Sequence, residues 1–491
     1  MTEVPVQLPR KGRDREDLLA EMQAARQQDI HWQEGKAFSL VFEAGEDVLE
    51  LLKEAYGMFF SENGLNPTAF PSLRKFETEV IAMAAGLLGG DAQVAGNMTS
   101  GGTESILLAV KTARDWARLH HPEIHRPEMV LPLSAHPAFD KAGEYFGVKP
   151  VHTRLRPDFR ADPQAMRDAI TPNTILLVGS APSYPQGVVD PIADLAPIAQ
   201  ERGLLMHVDA CVGGFMLPFV RRLGYPIPDF DFSVPGVTSM SADLHKYGYA
   251  AKGASVILYR HQALRRQQFF VYTDWPGGVY ASPGMTGTRP GGAIAAAWAV
   301  MNYLGEDGYL QIAATVMQAV RRLQEGVRAI PGVRVLSNPE MSVMALASDR
   351  YNIYEIGDEM TLRGWHLDRQ HNPACLHMTF HYGHAAVVDN FLSDLAASVA
   401  AVRKPSLQKI GNSLTVSLAQ AAVRLLPEKW VSRLMGRASS LLGGEDASLP
   451  GRTAAMYGLI GTLPNRGDMN TLVLDLIDSM TRIPEPKERA S

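Results

Sequence analysis

Cysteine is nearly absent from this 491-residue chain, which has only Cys211 and Cys375. Two thiols cannot build a disulfide framework or a multi-cysteine zinc site, so no metal centre of that kind is expected, and their scarcity fits a reducing compartment. An excess of positive charge is also absent: 47 Lys and Arg against 52 Asp and Glu leave a net −5. No global basic field therefore points to nucleic acid. No run reaches the ~18 uninterrupted apolar residues of a membrane-spanning helix. The most apolar segment, 293–301, is short and rich in Ala, and reads as a buried helix. The opening residues MTEVPVQLPRKGRDREDLLAEMQAARQQD lack the apolar centre of a signal peptide. Internal repeats and low-complexity tracts are missing too. These absences leave a soluble cytoplasmic protein as the expectation. Its 46% apolar and 20% charged residues are ordinary for a globular chain. The length allows roughly two to four domains and a large core without covalent staples.

Glycine and proline, by contrast, are plentiful, at 43 and 32. Residues 14–33 read as a polar helical arm. EDVLELLKEAYGMFF (46–60) has helical spacing, and Phe70-Pro71 breaks the chain before a helix from Leu73 to Leu88. From about residue 95, short apolar runs alternate with helical patterns: EMVLPLS, NTILLVGSAPS, GLLMHVDAC, GVTSMSAD and GASVILYR. Several runs are apolar on both faces, which suits a mostly parallel α/β sheet flanked by helices. In such sheets ligands bind beyond the carboxyl ends of the strands, so polar residues just after these runs are site candidates. Helices are expected at 292–304 and 309–329. After Pro331-Gly332 comes a smaller α+β unit with VRVLSN, SVMALAS and HMTF. The organisation expected is an N-terminal arm with helices (1–90), a large domain (91–330), and a small C-terminal domain (331–491) with a helical insertion at 405–450. In that insertion Leu407, Ile410, Leu414, Leu418, Ala421 and Leu425 share one helical face. Pro427 interrupts it, and Trp430, Leu434 and Leu441 follow beside Lys429, Arg433 and Arg437.

Three constellations carry chemistry. Thr99-Ser100-Gly101-Gly102-Thr103-Glu104-Ser105 opens a helix, and small hydroxyl residues with glycines at a helix start make an anion cup; alone, the same residues would serve as a simple cap. Asp209 ends the strand GLLMHVD; alone, it would serve as a structural carboxylate. Lys246, in SADLHKYGY, follows the run GVTSM, where burial can turn an amine into a Schiff-base nucleophile; alone, it would read as a surface charge. Together, a phosphate cup, an acid and a lysine at strand ends are the parts needed to hold pyridoxal 5′-phosphate. Thr103 and its neighbours would bind the phosphate, Asp209 would keep the pyridine nitrogen protonated, and Lys246 would attach the aldehyde. His136, after EMVLPLS, could stack on the ring; otherwise it is a hydrogen-bonded loop histidine.

GNMTSGGTES, SAHPAF, HVDACVGGF, SADLHKYGYAAKGAS, FFVYTDWPGGVYASP, GTRPGG and AAMYG resemble the sphingosine-1-phosphate lyases. These are a branch of the fold-type I, group II enzymes related to pyridoxal phosphate-dependent decarboxylases. The resemblance runs from about residue 42 to 400 and returns at 454–458. It implies that Lys246 is the Schiff-base lysine, His136 the ring-stacking histidine and Asp209 the partner of the ring nitrogen. Gly102, Thr103 and His245 would surround the cofactor phosphate. Gly287-Thr288 of a second subunit would complete that cup, which implies an obligate homodimer with shared sites. Lys252 would bind the substrate phosphate, with Tyr457 near the head group and Tyr280 also at the substrate.

Two departures stand out. A Tyr and a His that help to bind the substrate phosphate in the family align with Phe42 and Asn66. Phe42 has no hydroxyl and Asn66 cannot carry charge. At roughly 1.5–3 kcal/mol for each charge-assisted bond, two lost ligands would weaken binding by orders of magnitude unless another group substitutes. The second departure is the 405–450 segment. Its basic second half would let it lie on an anionic membrane surface, whereas its apolar first half favours packing on protein.

The function expected is carbon–carbon cleavage. A phosphorylated long-chain 2-amino-3-hydroxy substrate would undergo retro-aldol reaction to a long-chain aldehyde and phosphoethanolamine. Tyr249, His136 and the substrate phosphate are all open as the base. The alternatives are an amino-acid decarboxylase on the same fold, a lyase for a different amino-alcohol head group, and a non-catalytic scaffold.

Overall fold

The computed structural model describes residues 8–27, 29–403 and a few positions between 470 and 481. The 405–450 segment and Tyr457 lie outside the described residues. Two compact units emerge, one made of residues 38–347 and 377–393 and the other of the remainder.

The larger unit is built on a seven-stranded sheet. Its strands are β1 (Ala95–Thr99), β2 (Glu128–Pro132), β3 (Lys149–Thr153), β4 (Thr174–Ser180), β5 (Leu205–Asp209), β6 (Ser239–Ala242) and β7 (Ser255–Tyr259), in the order β1-β7-β6-β5-β4-β2-β3. From β3 through β6 every pairing is parallel, as the doubly apolar runs predict. The run GASVILYR differs: β7 pairs antiparallel with both β6 and β1. The link from β6 to β7 holds no helix, and a parallel return needs a longer crossover. Two reversals leave β1 running with β6, so the loop after Thr99 opens at the same edge as the loops after β5 and β6. The edge strands β1 and β3 were not among the runs read from sequence. Their patterns AGNMT and KPVHT carry little apolar signal.

β2, β4 and β7 are buried along their whole length. The helix Gly102–His120 covers the sheet with Ile106, Leu107, Val110, Ala113 and Ala117, all buried against Met129, Leu131, Leu176 and Val178. Each large apolar side chain so buried contributes about 1.5–3 kcal/mol, which fixes the helix start beside β1. The two helices expected at 292–304 and 309–329 are both present within Gly291–Ala329, parted at Gly305, whose backbone is non-helical (φ 54°). At its start Gly292 lies against the Tyr56 ring, where a Cβ would come within 2.7 Å. A two-stranded hairpin, β8 (Phe270–Trp275) and β9 (Gly278–Ser282), stands out from this unit with most of its residues exposed. The helix Arg15–Arg26, in the smaller unit, is capped by Asp14 and has no buried residue. Among the described residues no helix is long and apolar enough to cross a membrane.

Candidate active site

The loops beyond the carboxyl ends of β1, β2, β4, β5 and β6 surround a cavity of about 530 Å³. The rule for open α/β sheets places a ligand there.

The cup forms where β1 ends. The chain turns through Ser100 and the extended Gly101, and no side chain caps the helix that begins at Gly102, so its first amides are not taken up by a cap. Gly102 has no room for a side chain: a Cβ would lie 2.7 Å from Cys211 Sγ and 2.9 Å from an Asp243 oxygen. Glu104 braces the turn. It accepts from the Ser100 amide and hydroxyl at 2.7 Å and from the Met285 amide at 2.8 Å.

Asp209 ends β5 and is 8% exposed. Its Oδ1 accepts from the Cys211 amide at 3.0 Å and from the Ser241 hydroxyl at 3.2 Å. Behind it, fully buried His207 lies between the hydroxyls of Ser239 (2.9 Å) and Ser241 (3.2 Å). Ser241 gives its single proton to Asp209, so His207 Nε2 donates to Ser241 and Nδ1 accepts from Ser239. Burial pulls His207 down to about 4 against the opposing charge of Asp209, and the ring is neutral at pH 7.

Lys246 follows β6. Its Nζ is 2.8 Å from Asp243 Oδ2, and Asp243 is 2% exposed. Burial opposes the charge on Lys246, but the adjoining Asp243 carboxylate outweighs it and holds the amine above the ordinary lysine range. The neighbouring His245 accepts from the Ala254 amide through Nδ1 at 3.2 Å, and burial draws it below the ordinary histidine value despite Asp243. Across the cavity, His136 Nδ1 accepts from the Ala138 amide at 3.1 Å, which puts the neutral ring's proton on Nε2. Lys252 is exposed, yet its ammonium turns back to donate to the carbonyls of Leu40 (2.8 Å) and His245 (3.2 Å) and sits 5.4 Å from the centre of the Phe42 ring. Loss of hydration, and then the charge of Lys246, lower it to about 8.

Gly102, Thr103, His136, Asp209, His245, Lys246, Lys252 and Phe42 thus line one cavity. Ser100, Gly101 and Glu104 of the same cup line it too, whereas Asn66, Tyr249, Tyr280, Gly287 and Thr288 do not. Asn66 is exposed, and its Oδ1 accepts from Thr68 N (3.0 Å), Thr68 Oγ1 (2.7 Å) and Ala69 N (3.2 Å) in a local turn. Tyr249 is buried at φ 55°, and its hydroxyl has no partner. Tyr280 lies on β9, and Gly287 and Thr288 follow that hairpin. Sequence reasoning gave no role to Asp243, Ser180, Pro182 and Tyr184, which also line the cavity, and took Glu104 only as part of the cup. Ser180 ends an apolar run and obeys the strand-end rule. Asp243 lay inside a motif already singled out for its lysine.

Amides at a helix start, a glycine that admits close approach, a buried carboxylate and a half-buried amine fit pyridoxal phosphate in charge and in reactivity. Known proteins agree with this fit. Residues 1–347 match the pyridoxal-dependent decarboxylase conserved domain. The chain is 42% identical over 480 residues to the sphingosine-1-phosphate lyase of Arabidopsis thaliana, covering 96% of this chain and 80% of that protein. A solved sphingosine-1-phosphate lyase of Burkholderia pseudomallei is 41% identical with a TM-score of 0.79, covering 84% of this chain and 96% of that one. A glutamate decarboxylase of Lactobacillus brevis, 17% identical with a TM-score of 0.72 over 82% of this chain and 96% of that one, shares the fold alone.

Proposed function

Because the chain belongs to the pyridoxal-dependent decarboxylase family, on its sphingosine-1-phosphate lyase branch, we propose that it cleaves a phosphorylated sphingoid base between C2 and C3. The products are a long-chain aldehyde and phosphoethanolamine. The fold is fold-type I, and pyridoxal phosphate is the cofactor. The observation that carries the reading is the convergence of the Gly102–Thr103 cup, Asp209, Lys246 and Lys252 on one cavity.

When bound, the cofactor supplies an electron-accepting ring that stabilises the charge left on C2. The chain's own residues do the rest. Gly102 and Thr103 would hold the cofactor phosphate with main-chain amides, aided by His245. Lys246 is the attachment point. Asp209, fixed by Ser241 and the Cys211 amide, keeps a proton on the ring nitrogen. His136 would hold the ring, and Lys252 would offer its ammonium to the substrate phosphate. Of the candidate bases, Tyr249 is buried away from the cavity lining, and the Nδ1 lone pair of His136 is already engaged. The substrate's own phosphate is then the group that accepts the proton of the 3-hydroxyl.

The working unit in this reading is a cytoplasmic homodimer, with Gly287-Thr288 of one copy completing the cup of the other. The exposed hairpin supports this: Phe270, Val271, Tyr272, Trp275 and Val279 are 48–71% exposed on it, and large apolar side chains left open to water suit a surface that a partner covers. The test of the reaction is a product assay with sphingosine 1-phosphate. Fatty aldehyde and phosphoethanolamine in equal amounts are expected. Carbon dioxide from an amino acid, with no aldehyde, would overturn the lyase in favour of a decarboxylase. Light scattering should give twice the chain mass.

A further inference from the structure

Two carboxylates stand at neighbouring strand ends, and they are tied differently. Asp209 Oδ1 is committed to the Cys211 amide and the Ser241 hydroxyl. Asp243 is more deeply buried, its Oδ1 has no hydrogen-bond partner, and its Oδ2 meets Lys246 Nζ at 2.8 Å. Nothing in the reading above uses Asp243. A charge this buried needs a partner, and the cationic partner within 3 Å is the lysine that must give up its charge to react.

We propose that Asp243 is a positioning residue for Lys246: it docks the uncombined amine as an ammonium at the edge of the phosphate cup and takes its proton when the amine is needed as a nucleophile. The step moves one proton from Nζ to Oδ2. It turns an ammonium–carboxylate pair into a neutral amine and a neutral acid, so the net charge of the buried site does not change. While the amine is free, burial opposes the charge on Asp243, but the Lys246 ammonium outweighs it and holds Asp243 below the ordinary carboxylate range; once the amine is engaged and that charge is gone, burial favours the protonated acid. The glycine at 102 belongs to the same device, because any side chain there would strike both Cys211 and the Asp243 carboxylate. The titratable groups facing the pair are Asp209 and Cys211 from the end of β5, and His245 and Lys252 from the loop after β6. Among them, His245 is 3.7 Å from Asp243 and is drawn toward neutrality by its own burial.

The inference rests on Lys246 being the attachment lysine, and the two fail separately. The full-length protein, stripped of cofactor, is treated across a pH series with a small amine-acylating reagent, and the labelling of each lysine is read by mass spectrometry. In the native chain Lys246 should titrate above an ordinary lysine (about 10.4). In Asp243→Asn its midpoint should fall by at least about one unit, making it at least about tenfold more reactive at neutral pH. An Asp243→Glu variant, which keeps the charge, should restore much of the protection. A native Lys246 that titrates below an ordinary lysine overturns the proposal without any variant, as does a midpoint unmoved in Asp243→Asn. Borohydride reduction of the native chain with pyridoxal phosphate reports separately on attachment. An adduct at another lysine would sink the functional reading, whereas an adduct at Lys246 with an unmoved midpoint would sink only the role of Asp243.

Discussion

The two ends of the cavity are built on different principles. At the cofactor end, Gly102, Asp209 and Lys246 are set by strand termini and by a buried chain of hydrogen bonds, Ser239–His207–Ser241–Asp209. At the head-group end, Lys252 is held by two loop carbonyls, Phe42 offers a ring without a hydroxyl, and Asn66 is committed to its own turn. On the function proposed, the bond-breaking machinery is thus part of the framework and cannot drift without disturbing the core. Head-group recognition would then sit on loops, where one residue can change at little expense to folding.

The largest effect belongs to the cofactor end. Lys246→Ala should abolish the yellow colour of the purified protein and reduce turnover by at least about three orders of magnitude. The test is an absorption spectrum together with the aldehyde assay. If colour and turnover survived, the framework argument would lose its central residue.

His207 tests whether that end is fastened to the core. The folded chain holds His207 near 4, well below the unfolded value of about 6.5. As pH falls through that interval the unfolded chain binds the proton first, so stability is full above about 6.5 and declines toward 4. The loss reaches roughly 3 kcal/mol. Denaturant melts at pH 7 and pH 4.5 would show it, and in a folded His207→Gln variant this part of the acid sensitivity should disappear. An equal loss in both proteins would place the sensitivity elsewhere.

At the other end, Lys252→Met removes one charge-assisted bond to a phosphate. About 1.5–3 kcal/mol corresponds to a fall in kcat/KM of about 10- to 150-fold. Because Lys252 is lowered to about 8, the native enzyme should lose kcat/KM as pH rises through that value and the ammonium is neutralised. Lys252→Arg stays charged, so this limb should vanish from its profile. An unchanged alkaline limb would detach Lys252 from the head group.

How much of this was visible in the sequence follows the same division. The parallel sheet was legible because its strands are buried on both faces and read as unbroken apolar runs. Gly102, Asp209 and Lys246 were legible because strand ends point to the crevice. What escaped depends on contacts distant in sequence or on weak local signals. β1 and β3 are edge strands with mixed patterns, and the reversal at β7 rests on a connection without a helix. Asp243 looks like any polar residue in a motif until the structure shows its depth and its partner. Asn66 aligns with a phosphate-binding histidine of the family and reads as a weakened ligand, and only the three hydrogen bonds of its turn reveal that its side chain is already engaged.

Phe42 and Asn66 therefore part company, although the sequence treats them as a pair. The Phe42 ring lines the cavity beside the Lys252 ammonium, so Phe42→Tyr adds a hydroxyl at the wall where a substrate phosphate would lie. One new hydrogen bond to a charged group raises kcat/KM for sphingosine 1-phosphate by about tenfold. Asn66→His acts at an exposed turn outside the cavity lining and should change kcat/KM by less than about twofold, since exposed substitutions away from a site shift energies by only about 0.5 kcal/mol. Steady-state kinetics of the two single variants and the double variant decide the matter. If the double variant exceeds the product of the singles, position 66 reaches the substrate after all, and the head-group end is closed by a loop movement. If Phe42→Tyr lowers the rate instead, the native head group is one that prefers an apolar wall, and the two ends of the cavity have diverged in ligand as well as in construction.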